Sequence, residues 1–426
     1  MVLPSLSDQH LRSLIVLSLL SRLLVATLIT LATSLLTLFD SSPRLILSDA
    51  VPPWTSSLLR WDAFHFAHVA KEGHLYEHEW AFFPALPFVM HASGSLLSSI
   101  GFESSSQDWA AMLLGGAILA AVCDSTRVFY RLSLHHLRSP SAAFLATALS
   151  LLPSSPATLR FASYNEPFFT YFSYQGMLAC ARSQWLSASV WFALASTFRS
   201  NGILLCGFIV WGMVVVPCLA ARRDLLTPSR LLYCTVLVAI PLMPFIHHNY
   251  KGYTLFCAAS TEGLPDWCKK GLFPSIYSHV QLKYWNVGFL RYWTVSNIPN
   301  FILASPVLLN VYAFCVFYLS RLPHILPLLS PQMPPKEKDA SRPNPSLFLA
   351  PSLLPHVLHG LALALLLTFS AHVQIALRVF PSLPMTYWAA AHLLIERPKL
   401  GKAWVAWSVV WGALSCVLWA VFLPPA

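Results

Sequence analysis

Apolar stretches long enough to cross a bilayer recur along this chain, beginning with LRSLIVLSLLSRLLVATLITLATSLLTLF at residues 11–39. A spanning helix needs about 20 such residues, and in lipid its backbone must satisfy its own hydrogen bonds. Membrane-barrel strands are shorter and alternate in polarity, so these runs predict helices. Composition agrees: 56% of the 426 residues are hydrophobic and only 10% are charged, against roughly a quarter charged in ordinary soluble domains. Mean hydropathy is +0.60. The first run is too long for a cleaved leader and is followed by many more, so it is expected to remain as an uncleaved span.

The formal net charge of +10 does not form a basic stripe. Lys and Arg are scattered through short segments between the spans, the pattern of positive loops held on the cytoplasmic side, and no nucleic-acid partner is expected. Placing the N-terminus in the cytoplasm then gives about eleven spans, near residues 11–39, 110–132, 140–153, 162–181, 185–199, 202–219, 230–249, 299–320, 347–369, 375–395 and 403–423. Two long luminal loops are expected at about 40–109 and 250–297, the first holding an apolar re-entrant or interfacial helix near 84–100. The Pro- and charge-rich stretch at about 330–345 is expected to be a solvated cytosolic linker. The whole chain, 1–426, is expected to form one all-α polytopic membrane domain.

This topology carries the segments RWDAFHF, SYNEP, RSNG, QLKYWNVGF and HVQIALR to the same luminal ends of their spans. Ionisable groups near membrane depth are costly and usually functional. Asp62 in RWDAFHF is the most informative of them. A poorly solvated carboxylate there suits a base that takes a proton from a sugar hydroxyl, and it equally suits a cap on the helix that ends at Gly73. His65, His68, His74 and His78 follow without a metal-binding motif, so hydrogen-bonding roles are expected and no metal. Glu166 in YNEP either complements a helix N-terminus or meets substrate. Arg199 beside Asn201 in FRSNG, and Arg378 after HVQIAL, suit a lipid-linked phosphate.

The nine cysteines show no CxxC and no zinc-type spacing, and most lie in apolar runs. Cys257 and Cys268 fall in a polar loop and either pair, if that loop faces an oxidising lumen, or stay free.

Taken in order, RWDAFHF, GHLYEHEWAFFP, FRSNG, YWNVGFL, IPNF and HVQIALR, from about residue 60 to 395, resemble the second mannosyltransferase of glycosylphosphatidylinositol (GPI) anchor synthesis. The resemblance implies a GT-C type glycosyltransferase in the endoplasmic reticulum membrane with its active site facing the lumen. It implies dolichyl-phosphate mannose as donor, a GPI-precursor glycolipid as acceptor and an α-1,6 linkage; no cofactor is expected, contact with membrane lipids is expected, and a small membrane partner subunit is left open. It places the catalytic base at Asp62, and the candidate substrate contacts are Arg60, Trp61, His65, Glu72, Glu166, Arg199, Asn201, Trp285, Asn286, His372, Gln374 and Arg378. It also implies a Cys257–Cys268 disulfide. Where related enzymes carry two adjacent carboxylates, Asp62 is followed by Ala63, so it acts alone or with help from Glu72 or Glu166. Other GT-C enzymes using dolichyl-phosphate sugars, a transporter or a non-catalytic subunit are the competing classes. A transporter should show internal repeats, and none is evident.

Overall fold

The computed structural model describes residues 6–47, 53–101, 107–220, 222–258, 263–269, 274–329 and 346–423, and every regular element among them is helical. The linker expected at about 330–345 lies outside the described residues. The principal helices are α1 (Leu6–Leu35), α2 (Ala63–Glu72), α3 (Ala85–Ser99), α4 (Gln107–Val122), α5 (Thr126–Leu137), α6 (Pro140–Leu149), α7 (Pro156–Arg160), α8 (Asn165–Ala181) and α9 (Trp185–Phe198). They continue with α10 (Ser200–Leu219, of mixed helical pitch), α11 (Pro228–Tyr253), α12 (Ile276–Trp285), α13 (Ile298–Leu319), α14 (Leu354–Phe369), α15 (Ala376–Val379), α16 (Pro384–Glu396) and α17 (Pro398–Ala420).

Seven stretches among the described residues are long and apolar enough to span a bilayer: Leu6–Leu35, Trp109–Leu137, Ser200–Leu219, Pro228–Ala258, Val295–Leu319, Pro351–Phe369 and Pro398–Ala420. They coincide with seven of the eleven expected spans. The other four correspond to α6, α8, α9 and α16, which have 10, 17, 14 and 13 residues. By length alone, then, the count of eleven is not established. Proline sets several of these limits: Pro140 and Pro384 stand in the first turns of α6 and α16, and Pro153 and Pro156 follow α6. Short helices are tolerated at such places because protein surrounds them. Residues 384–391 of α16 are all buried, as is most of α8, whereas α1 turns Leu19, Leu20, Leu23 and Leu24 outward.

The span expected at 110–132 is interrupted, since α4 stops at Val122 and α5 starts at Thr126. Asp124 lies in the gap and accepts the Thr126 N–H at 2.8 Å.

Helix ends follow side-chain chemistry. Ser139, Thr227 and Ser275 accept backbone N–H groups at the starts of α6, α11 and α12, and Gly73 ends α2 at a φ of 82° that a side chain would strain. The two long loops are clasped together where Glu77 accepts Lys283 Nζ at 2.6 Å and Tyr284 OH at 2.8 Å. The Cys257–Cys268 disulfide is formed, with the Cys257 end packed beside Trp80, Trp267, Ile276 and Val280.

The close packing of α8 against α9 depends on Gly176, where an added Cβ would lie 2.3 Å from Phe192 Cε1. Gly176→Val should destabilise the fold by about 1–3 kcal/mol, read as a lower thermal unfolding midpoint in detergent. An unchanged midpoint would show that this interface has slack.

Candidate active site

The geometry around Asp62 begins with its backbone. Arg60 is fully buried, and its guanidinium donates to the carbonyls of Ser56, Leu59, Trp419 and Ala420, the last two at 3.2 and 3.0 Å. Tyr164 OH donates to the Arg60 carbonyl at 2.8 Å, and Trp419 Nε1 to that of Ser57 at 2.9 Å. The end of α17 and the start of α8 thus grip the segment before α2 from two sides. Trp61 is held at φ 52°, an uncommon conformation for a bulky residue, with its ring stacked 5.0 Å from Phe422. This grip fixes the direction in which Asp62 leaves the chain.

Asp62 occupies the N-cap position of α2 but its carboxylate does not cap the helix. Instead Oδ2 accepts Arg378 Nη1 at 2.7 Å. Arg378 Nε donates to Glu166 Oε1 at 2.8 Å, and Arg199 Nη1 donates to the same oxygen at 2.6 Å. Four residues far apart in the sequence therefore form one chain of charge, Asp62–Arg378–Glu166–Arg199. Local structure explains each position. Glu166 is in the first turn of α8, Arg199 leaves the end of α9 in extended backbone, and Arg378 projects from the short helix α15. Two carboxylates balance two guanidinium groups, as burial requires.

Exposure separates the two acids. The Asp62 side chain is 31% exposed and that of Glu166 only 2%. Around them Glu166 Oε2, Asn165 Oδ1, Asn201 Nδ2 and Trp61 Nε1 are buried with no hydrogen-bond partner among the described residues. Such groups are expensive to leave unpaired and are usually explained by function or by water. Asn201 Oδ1 accepts Arg199 Nε at 3.4 Å, which holds Asn201 at the edge of the cluster.

The remaining expected contacts divide. Arg60 has neither exposed surface nor a free guanidinium to offer a substrate; its place beside Asp62 in sequence reflects a backbone clamp. Glu72 is exposed at the end of α2 and does not join the cluster. His372 donates to the Trp285 carbonyl at 2.5 Å and stacks on Tyr292 at 4.6 Å, and Gln374 accepts Tyr292 OH at 2.7 Å. Asn286 ends α12 in left-handed backbone at φ 50°. These residues join α12 and the loop after it to the 370–378 segment. His65 stacks on Phe82 at 4.7 Å and meets His78 edge-on at 5.3 Å, and Trp285 contacts Phe82 at 6.0 Å. An aromatic wall therefore stands on the same segment as Asp62. The loop histidines are otherwise occupied: His68 pairs with Glu79 at 2.5 Å and His74 donates to the Phe82 carbonyl at 2.9 Å.

Two important residues are given no role by the sequence reading. Tyr164 lies beneath Arg378, 5.1 Å from its guanidinium carbon, and Glu79 is buried, accepting the Leu75 and Tyr76 N–H groups at 2.9 Å. A tyrosine before a helix and one glutamate among several look ordinary until the fold places them.

Glu166→Gln removes the charge that both arginines share and should cost about 3–5 kcal/mol of stability, measured by thermal or denaturant unfolding of the purified protein. A loss under about 1 kcal/mol would mean the arginines find other partners. Burial also lowers the His65 and His74 imidazoles below their usual 6.5. Because folding favours their neutral forms, stability should fall as pH drops below about 6.5. His65→Phe should flatten that acid limb.

The chain matches the family model for "Mannosyltransferase (PIG-V)" over residues 10–426. It is 36% identical to GPI mannosyltransferase 2 of Cryptococcus neoformans, with 96% of each chain covered. It is 31% identical to GPI alpha-1,6-mannosyltransferase 2 of Homo sapiens, covering 84% of this chain and 78% of the relative. It is 30% identical to GPI mannosyltransferase 2 of Yarrowia lipolytica, covering 91% and 92%. With its apolar helices, its charged cluster and this match over nearly its whole length, the chain belongs to the PIG-V mannosyltransferase family of membrane glycosyltransferases.

Proposed function

We propose that this protein transfers the second, α-1,6-linked mannose of the GPI anchor from dolichyl-phosphate mannose to the GPI precursor, at a site facing the lumen of the endoplasmic reticulum. Family membership and the names of the relatives support the reaction class. The observation that carries the mechanism is the unequal burial of the two acids joined by Arg378: Asp62 keeps access to solvent and Glu166 does not.

A β-linked donor and an α-linked product call for one inverting displacement. Asp62 takes the proton of the acceptor 6-hydroxyl as that oxygen attacks the anomeric carbon, and the bond from that carbon to the phosphate oxygen breaks. In the structure Asp62 Oδ2 is occupied by the Arg378 guanidinium. The donor phosphate offers Arg378 a second anionic partner. As Arg378 turns toward it, Asp62 is released to accept a proton, while Glu166 keeps Arg378 and Arg199 aimed at the leaving group. Base activation thus follows donor binding. His372 acts indirectly, since its Nε2 is committed to the Trp285 carbonyl. Its contact ties the arginine segment to the aromatic wall, against which a sugar face can lie. Guanidinium neutralisation of the leaving phosphate needs no metal or other cofactor in this scheme.

Asp62→Asn should lower mannose transfer by about 10²–10⁴-fold, with protein levels in the membrane unchanged. Microsomes supplied with labelled lipid donor provide the assay, and cells carrying the variant should accumulate a GPI intermediate with one mannose. Transfer at the wild-type rate would remove Asp62 from the role of base.

A further inference from the structure

A second charged cluster lies among the helices and shares no residue with the first. Arg22 stands near the middle of the 30-residue helix α1, Asp124 in the break between α4 and α5, and Arg160 at the end of α7. Arg22 holds Asp124 Oδ2 through Nη2 and Nε at 3.2 and 3.3 Å, and the Ser18 hydroxyl donates to the same oxygen at 2.5 Å. Arg160 is left with long bonds to neutral acceptors, Ser18 Oγ at 3.2 Å and the Ser150 carbonyl at 3.4 Å. Among the described residues it forms no ion pair. Two guanidinium groups thus face one carboxylate, leaving one positive charge in an apolar helical setting, where an unbalanced charge is costly.

That charge borders a cavity. Arg22, Asp124, Arg160, Thr170, Tyr174 and Tyr387 are among its lining residues, and its volume is about 30 Å³. Two polar atoms at its wall, Arg160 Nε and Thr170 Oγ1, are buried without a hydrogen-bond partner, and the Thr170 residue is only 3% exposed. Both can donate. The space holds roughly two water-sized groups, room for two oxygens of a phosphoryl head whose remaining atoms extend through the open side of the pocket, and too little for a hexose ring. Thr170 and Tyr174 lie one and two turns beyond Glu166 on α8, so the cavity runs beside the helix that bears the reaction cluster.

We propose that this cavity is a binding site for a phosphoryl-class oxyanion, held by Arg160 with Arg22 and Thr170. The shared chemistry is the anionic head, from either a membrane lipid carrying a phosphate or free inorganic phosphate. The assignment rests on charge and lining and stands whether or not the proposed reaction is correct.

The test uses the purified full chain in detergent, with thermal unfolding followed during titration with inorganic phosphate, farnesyl phosphate or uncharged farnesol. Farnesyl phosphate should raise the midpoint saturably and farnesol should not. A matching effect of inorganic phosphate would show that the head alone is recognised, and its failure that the lipid is needed; either supports the site. The reaction cluster is itself proposed to bind a lipid phosphate, so the response is read in an Arg378→Gln background: a saturable shift should remain there, and adding Arg160→Gln should weaken it at least tenfold, which separates this site from the reaction cluster. Thr170→Val keeps every charge and should weaken it about tenfold, so the test survives if Arg160→Gln does not fold. The proposal is overturned if neither phosphate shifts the midpoint, if no shift remains in Arg378→Gln, or if the shift remaining there is unchanged by Arg160→Gln and Thr170→Val.

Discussion

Arg378 is the residue on which the site turns. It joins a carboxylate 316 positions earlier, Asp62, to one 212 positions earlier, Glu166, and through Glu166 it reaches Arg199. Removing ions from water costs several kcal/mol each, and a buried network recovers that only when every charge is matched. The match in this cluster is two against two, with one oxygen, Glu166 Oε1, serving both arginines. An apolar core would hold these helices together as well. What the charges add, in the proposed mechanism, is an arginine that exchanges Asp62 for the donor phosphate.

The surroundings serve that arrangement. The Arg60 clamp, the Tyr164 hydroxyl and the Trp61–Phe422 stack bring the last helix against the first loop and hold Trp61 in a strained backbone conformation beside Asp62. Strain of this kind costs about 1–3 kcal/mol and persists only when its surroundings over-determine it. The Glu77 clasp and the His372 bond to Trp285 then connect the second loop to the first and to the arginine segment. Loops that would otherwise be independent become one wall. Any change in the position of α17 is therefore felt at Asp62, because Arg60, two residues before it, is bonded to the Trp419 carbonyl 359 positions away.

Much of this was legible in the sequence, for identifiable reasons. Bilayer thickness writes itself into the chain as run length, so the seven long helices could be placed from hydropathy. Asp62, Glu166, Arg199 and Arg378 stood out because charge is rare in such a chain. The Cys257–Cys268 pair was implied by the family resemblance and left open by the residues themselves. Depth was harder to read. Helices α6, α8, α9 and α16 are apolar because protein surrounds much of their surface, and hydropathy does not distinguish that from lipid. Arg60 drew a substrate role from its neighbour Asp62, although its job depends on carbonyls at the far end of the chain. Pairings of that range leave no local pattern.

The most direct measurement is a structure of the protein with a non-transferable analogue of dolichyl-phosphate mannose bound. The account predicts the phosphate within hydrogen-bonding distance of Arg378, the Asp62–Arg378 contact opened, Glu166 still holding Arg199, and the Asp62 carboxylate facing the acceptor side of the anomeric carbon. A phosphate bound away from Arg378, with Asp62 and Arg378 still paired at 2.7 Å as in the free protein, would contradict it.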